Sequence, residues 1–435
     1  MKVALVFCKI DSLFEKCAAG VFSIFESNPP LGLGAIGTVA KNRKHSVKII
    51  DQLLYKYNND ELIDEILKFN PDIVGFSCTS LNIQNSLFCA EQIKNKSKSI
   101  VFAGGIHITL CTEKILKKNI FDFLISGEGE EVFEKVLYQL ETNNSINDLN
   151  ISGLCLAAQQ KDNGTAVLST IDQPIIDRAI LEIDLYKNRG ALLEERPCYS
   201  IFSSRGCPYK CKFCSKPDYF KIYRQRQVED VIEEIHLLIN KYGAKAISFR
   251  EDNFTVDISR LKVFCYRMIQ EFNGEFYWEC ESRADLPKEI LQLMYDAGCR
   301  GIWCGVETIV PKWSKWINKG LSKEKVTKFY KECDEIGIRT GALFMFGFPE
   351  QTEEEIEEDI QFAISLPTVF SAFQCLAIFP GSPLEDYYKQ HSELRYVVTE
   401  GVSLALIKGC NYKDMIRKEI EINKKIQSIR LQYKN

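Results

Sequence analysis

Three cysteines fall within eight residues, Cys207-Pro-Tyr-Lys-Cys211-Lys-Phe-Cys214, and their spacing offers a metal three thiolates and no fourth ligand. A structural zinc wants a closed set of four, usually from two paired clusters, and neither a second Cys-x-x-Cys nor a nearby His supplies the rest. An iron–sulfur cluster held by three thiolates keeps one iron open for a small molecule. The spacing therefore predicts such a cluster, with chemistry at its free iron.

A loop that holds a cluster needs a frame, and from about residue 198 the chain alternates strands with amphipathic helices. Six strands are predicted, Ser200–Ser204, Ala246–Arg250, Phe276–Ser282, Gly301–Gly305, Gly341–Phe346 and Ala372–Phe379, separated by helical runs such as Val228–Lys241 and Glu353–Ser365. Six βα units without a seventh or eighth imply a partial (β/α)6 TIM barrel, whose chemistry belongs on the loops after the strands. The cysteine loop follows the first strand. Glu251-Asp252-Asn253-Phe254-Thr255 follows the second, Ser282-Arg283-Ala284-Asp285 the third, Gly305-Val306-Glu307-Thr308 the fourth and Phe346-Gly347-Phe348-Pro349-Glu350 the fifth.

Residues 1–145 show the same α/β rhythm, with strands predicted at Val3–Phe7, Val47–Ile50, Ile73–Ser77, Ile100–Ala103 and Phe121–Ile125 and helices between them. This predicts a Rossmann-like parallel sheet with crossover helices. Small and polar residues fill three of its turns: Ser77-Cys78-Thr79-Ser80, Gly104-Gly105-Ile106-His107 and Gly127-Glu128-Gly129-Glu130. Open sheets bind ligands at such strand ends. Residues 146–194 read as a connector with a hairpin, Gly153–Gln159 and Val167–Ile171 around Asp162-Asn163-Gly164. The barrel is expected over 195–390, and 391–435 as a helical C-terminus that caps it and keeps one face solvated.

Composition narrows the function. The 435 residues are 46% hydrophobic and 26% charged, enough for two sizeable cores, and a formal charge of −4 leaves no electrostatic footprint for nucleic acid. The opening Met-Lys-Val-Ala-Leu-Val-Phe-Cys reads as a buried strand and not a signal peptide. No apolar stretch is long enough to cross a bilayer. Seventeen cysteines then point to a reducing, cytoplasmic setting, where most of them, Cys280, Cys299 and Cys304 included, pack as small hydrophobes.

Together with Phe213 before its last cysteine and Ser204-Arg205-Gly206 before its first, the triplet is similar to the Cys-x-x-x-Cys-x-aromatic-Cys motif of radical S-adenosylmethionine (SAM) enzymes. The loops after the second to fifth strands resemble that superfamily's loops. The resemblance implies that Cys207, Cys211 and Cys214 hold three irons of a [4Fe–4S] cubane whose fourth iron chelates the amine and carboxylate of SAM. Glu251 or Asp252 would accept from the amine, and the planar fork of Arg283 would pair with the carboxylate. Glu307 would accept from the ribose hydroxyls, and Met345 would lie against the adenine. The bland alternatives are an Arg283–Glu307 ion pair across neighbouring strands, Asp252 as a helix cap, and Met345 as core. Leu343 stands where many family members carry Gly.

The first half resembles the cobalamin-binding domain fused to one large branch of these enzymes, through Pro29-Pro30-Leu31-Gly32, Thr79-Ser80-Leu81, Gly104-Gly105-x-His107-x-Thr109 and Gly127-Glu128-Gly129-Glu130. The resemblance implies bound cobalamin, its nucleotide tail entering near Gly104 and Gly105, where glycine permits close backbone approach. Methionine-synthase-type domains ligate cobalt through an Asp-x-His-x-x-Gly element; the corresponding turn here, near Pro29–Gly34, holds no His. His107 would either contact the corrin side chains and tail or brace its own loop. The implied reaction is a C-methylation: one SAM methylates reduced cobalamin, and a second is cleaved to a deoxyadenosyl radical that removes hydrogen from the substrate. The alternatives are a radical cyclisation, rearrangement or deoxygenation without methyl transfer and, from another class, a cobalamin- or redox-sensing module. The expected partners are a small-molecule substrate and an electron donor such as flavodoxin or ferredoxin, with no nucleic acid and no membrane.

Overall fold

The computed structural model describes residues 1–11, 28–143, 145–168, 170–171, 175–186, 192–216, 218–399 and 401–432. They form two compact units. One gathers the described residues of 1–185 with Thr399, Gly401 and Val402, and the other those of 186–398 and 403–432.

In the first unit β1 (Lys2–Phe7), β2 (Ser46–Asp51), β3 (Ile73–Ser77), β4 (Ile100–Gly104), β5 (Phe123–Ile125) and β6 (Leu154–Leu156) lie in the order β2-β1-β3-β4-β5-β6. The first five run parallel and β6 runs antiparallel to β5. Val3, Ala4, Leu5 and Val6 are all buried, as a strand covered on both faces requires. Helices α1 (Leu31–Asn42), α2 (Asn59–Phe69), α3 (Ile83–Lys96) and α4 (Glu130–Asn143) supply the cover. α2 begins where Asn58 and Glu61 cap each other's backbone N–H. Gly401, far along the chain, lies against the Ser80 carbonyl so closely that a Cβ would stand 1.8 Å from its oxygen.

Among the described residues the two arms of the expected hairpin do not pair with each other. Its first arm joins the sheet as β6, because the edge of β5 offers unpaired N–H and C=O groups. The region of the second arm touches the sheet through one bridge, Ala166 to Gly127, and Ser169 within it lies outside the described residues. The described residues up to 185 pack with the first unit.

The second unit carries β7 (Cys198–Ile201), the short pair β8 (Ser204–Arg205) and β9 (Arg224–Gln225), then β10 (Ala246–Phe249), β11 (Tyr277–Ser282), β12 (Cys299–Glu307), β13 (Arg339–Phe346) and β14 (Phe370–Cys375). β7 and β10 to β14 form one parallel sheet in chain order, the six strands the sequence predicts. Between them run α5 (Val228–Tyr242), α6 (Ile258–Phe272), α7 (Lys288–Asp296), α8 (Lys323–Ile336) and α9 (Glu353–Ser365). Phe249, Phe254, Trp278 and Phe264 of α6 lock sheet to helix with ring centroids 4.4 to 5.8 Å apart.

The sheet's edge at β14 is closed by α10 (Tyr412–Gln432), the expected cap. Asn423 accepts from the Phe373 N–H at 2.8 Å and donates to the Phe373 carbonyl at 2.9 Å, and Glu419 accepts from the Cys375 N–H at 2.8 Å. Side chains thus stand in for a missing strand. β15 (Ala377–Ile378), within the predicted strand Ala372–Phe379, joins β16 (Arg395–Val397) and β17 (Ser403–Leu406) in a small antiparallel sheet, and these last two depart from the helical tail expected over 391–435. Strands this short carry no readable period. Among the described residues no helix is long and apolar enough to cross a membrane.

Candidate functional site

Beyond β8 the chain turns at Gly206, whose φ of +95° suits glycine alone. A Cβ there would lie 2.3 Å from the Ile222 carbonyl oxygen and 2.6 Å from that of Phe220. This close approach lets the Cys207 N–H donate to the Phe220 carbonyl at 2.8 Å. Further along, the Lys212 N–H donates to Ile317 at 2.9 Å, the Leu384 N–H donates to Lys212 at 3.0 Å, and the Asn318 amide holds the Lys210 carbonyl at 2.9 Å. The Lys212 ammonium lies over the Trp316 ring at 4.2 Å. The cysteine loop is therefore held on several sides through its backbone, and its cysteines remain free thiols.

Cys207, Cys211 and Cys214 are partly exposed free thiols, whereas Cys280, Cys299 and Cys304 are buried. Burial pushes the Cys211 and Cys214 thiols up, and the ammonium groups of Lys319 and Lys216 pull them back toward the thiolate. Among the described residues no three His, Cys, Asp or Glu side chains stand close enough to share a single metal ion. A cubane, whose ligands sit on separate irons, needs no such closeness. The donor set fits a cluster better than a zinc ion.

Glu307 ends β12 in a left-handed conformation, φ +68°, at a break in the register with β13. Such strain persists only where the surroundings impose it. Here Lys319 does so, its Nζ 3.0 Å from the Glu307 Oε1. Gly305 lies beneath, and a Cβ on it would stand 2.2 Å from the same oxygen. Behind the loop Asp359 of α9 accepts from the Thr308 hydroxyl at 2.8 Å and the Ile309 N–H at 2.7 Å. Burial pushes the Asp359 carboxyl up to about 7.

Arg283 and Glu307 do not pair with each other. Arg283 donates to the Lys319 carbonyl at 2.6 Å, stands 3.3 Å from Asp285 and covers the Tyr209 ring at 4.3 Å. Lys319 therefore links the two expected SAM contacts, and sequence reading passed over it because it sits in a turn with no periodic signal. Phe213 and Met345 join the edge of one apolar cluster with Trp313 and Phe348.

Two expectations on the second strand's loop change. Glu251 is buried and turned back, accepting from the Ser203 N–H and the Ser204 hydroxyl, so it braces the approach to the cysteines and is spent for a SAM amine. Asp252 faces the cysteine loop, 2.6 Å from Lys216. It caps no helix, since Asp257 itself caps α6.

In the first unit the turns after β3, β4 and β5 brace one another. Gly105, φ +100°, packs so close to Cys78 that a Cβ would lie 2.7 Å from its carbonyl oxygen. The Cys78 N–H donates to Gly104 at 2.8 Å, and the Thr109 hydroxyl accepts from the Gly127 N–H at 2.8 Å. His107 is fully buried with Nδ1 2.9 Å from the Ser80 hydroxyl oxygen, which is the bracing role and takes both residues away from a ligand. Glu128 is likewise buried, accepting from the Leu168 N–H at 2.7 Å. Thr79, Gly104, Gly105, Thr109 and Gly127 remain accessible, a rim of backbone and small side chains that fits a ligand tail.

Comparison with known proteins matches residues 201–363 to the radical SAM superfamily and residues 19–137 to the B12 binding domain. The chain is 30% identical over 399 residues to an uncharacterized methyltransferase of Pyrococcus horikoshii, covering 89% of this chain and 83% of that relative. It is 26% identical over 334 residues to the anaerobic magnesium-protoporphyrin IX monomethyl ester cyclase of Rubrivivax gelatinosus, covering 73% of this chain and 58% of that one. Among solved structures, the radical SAM methyltransferase TsrM from Kitasatospora setae, with cobalamin and a [4Fe–4S] cluster bound, superposes with a TM-score of 0.74 at 16% identity, over 98% of this chain and 88% of that one.

Proposed function

This chain belongs to the radical SAM superfamily in its B12-binding branch, and from that membership we propose that it is a cobalamin-dependent methyltransferase that methylates an unactivated carbon of a small molecule. The observation that carries the reading is a loop of three free thiols with no fourth ligand among the described residues, in one chain with a B12-binding match.

When bound, the [4Fe–4S] cluster, SAM and cobalamin supply a hydrogen-abstracting radical and a transferable methyl group. Cys207, Cys211 and Cys214 would hold the cluster. Arg283 and Lys319 offer cationic groups for the SAM carboxylate, while Asp252 and Glu307 offer acceptors for its amine and ribose. Phe213 and Met345, backed by their apolar cluster, keep water from that side. Thr79, Gly104, Gly105, Thr109 and Gly127 would line the cobalamin tail. No His stands in residues 29–34, and His107 is engaged with Ser80, so neither position gives cobalt an imidazole.

Anaerobically reconstituted protein supplied with SAM and a strong reductant tests the reading. Release of both S-adenosylhomocysteine and 5′-deoxyadenosine is expected. Deoxyadenosine alone would favour radical cyclisation or rearrangement, the reading supported by likeness to the cyclase. An electron donor such as flavodoxin or ferredoxin and a cytoplasmic setting belong to the same proposal, supported by cysteines that are free thiols throughout the described residues.

A further inference from the structure

Alternation along the barrel strands decides which side chains face its interior. Trp278 packs outward on Phe264 of α6 at 5.5 Å, so Glu279 and Glu281, one and three residues on, face inward. Glu281 stands opposite Trp303, and Trp303 opposite Gly341. The Trp303 ring lies across Gly341, where a Cβ would be 2.3 Å from it. Below this row Ser248, Glu279 and Gly301 are buried, and the Leu192 N–H reaches Glu279 at 3.3 Å as a plug. From this row upward, Phe202, Arg250, Glu281, Leu343, Met345 and Gln374 are all partly exposed. The barrel is filled below Glu281 and open above it.

The charges around this opening pair off with one exception. Lys216 takes Asp252 at 2.6 Å, Lys319 takes Glu307 at 3.0 Å, Arg283 takes Asp285 at 3.3 Å, and Arg250 approaches Glu279 at 4.0 Å. The Glu281 carboxyl has no hydrogen bond or ion pair among the described residues, and the residue is partly exposed. Burial pushes this group up to about 7, a cost that a bound cation would remove. An anionic ligand would meet this carboxyl, whose charge Arg250 and Lys216 offset through space without an ion pair.

Resting on the radical SAM reading above, we propose that Glu281 is the substrate-selecting residue of the barrel, and that its carboxyl receives a protonated primary amine on the molecule that enters the opening. Phe202, Leu343 and Met345 give the rest of that molecule an apolar wall. SAM carries an amine of its own, so the test separates the two sources.

Full-length protein with its cluster reconstituted is dialysed to equilibrium against phenethylamine, N-acetylphenethylamine or 3-phenylpropionate, in the presence of S-adenosylhomocysteine. The amine is expected to bind at least tenfold tighter than the other two. Glu281→Gln should bring all three within about threefold, and Glu281→Lys should make 3-phenylpropionate the tightest. Equal binding of the three probes by the wild type, or an unchanged amine preference in Glu281→Gln, overturns the proposal. A preference seen only without S-adenosylhomocysteine assigns the carboxyl to the SAM amine and also overturns it. Circular dichroism checks each fold, and if Glu281→Lys fails to fold the isosteric Gln variant decides. SAM cleavage by the wild type is scored separately, so loss of the radical reading and loss of amine selectivity are distinguishable.

Discussion

At the scale of single residues, the cysteine triplet announces itself because spacing alone limits what it can bind. Cys211→Ala should lower iron in the reconstituted protein well below the roughly four atoms per chain of one cubane, whereas Cys299→Ala should leave it unchanged, since Cys299 is buried away from solvent. A colorimetric iron assay decides, and equal iron in the two variants would refute the assignment. Residue type was a poorer guide where a neighbour had already claimed the group. Glu251, His107 and Glu128 look like ligand contacts in the sequence, yet Ser204, Ser80 and the Leu168 N–H occupy them. Lys319 and Glu281 went unread for the converse reason. One gains its meaning from a partner twelve residues away and the other from being left without one, and both facts exist only once the strands are in register.

At the scale of elements, the parallel strands were legible because doubly covered strands read as continuous apolar runs. Their loops depend on helices behind them, and Asp359 of α9 is the clearest case. Its carboxyl, ordinarily near 3.8, is raised to about 7 by burial, so the folded state holds the proton more tightly than the unfolded one. The stability it adds is complete below about pH 4 and is lost as pH rises through 7, at up to roughly 1.4 kcal/mol per pH unit in between. Asp359→Asn keeps an acceptor for the Ile309 N–H and cannot ionise. Urea unfolding from pH 5 to 8 should therefore show a smaller fall in stability for this variant than for the wild type. Parallel curves would show that the carboxyl is already charged at pH 5. β16 and β17 were illegible, as were the partners that β6 and β15 take, since strands of two to four residues are decided by an open edge or a neighbour and not by their own pattern.

At the scale of the whole molecule, two alternating α/β halves could be seen in the order of elements, but the boundary could not. The described residues as far as 185 pack with the first unit, where residues 154–156 and 166 attach to its sheet. Nor does the sequence reveal that Thr399, Gly401 and Val402 complete the first unit. Gly401→Val would drive a side chain into the Ser80 carbonyl and should destabilise that unit by about 1–3 kcal/mol. Hydrogen exchange should rise around Ser80 and His107 and stay unchanged in α5 and α6; no rise would count against the contact. The same piece of chain sets a timetable. A ribosome adding about 5–20 residues per second needs roughly 10–40 s to travel from Tyr186 to Thr399. Through that interval the nascent first unit waits without its last segment, so the half made first is the half finished late.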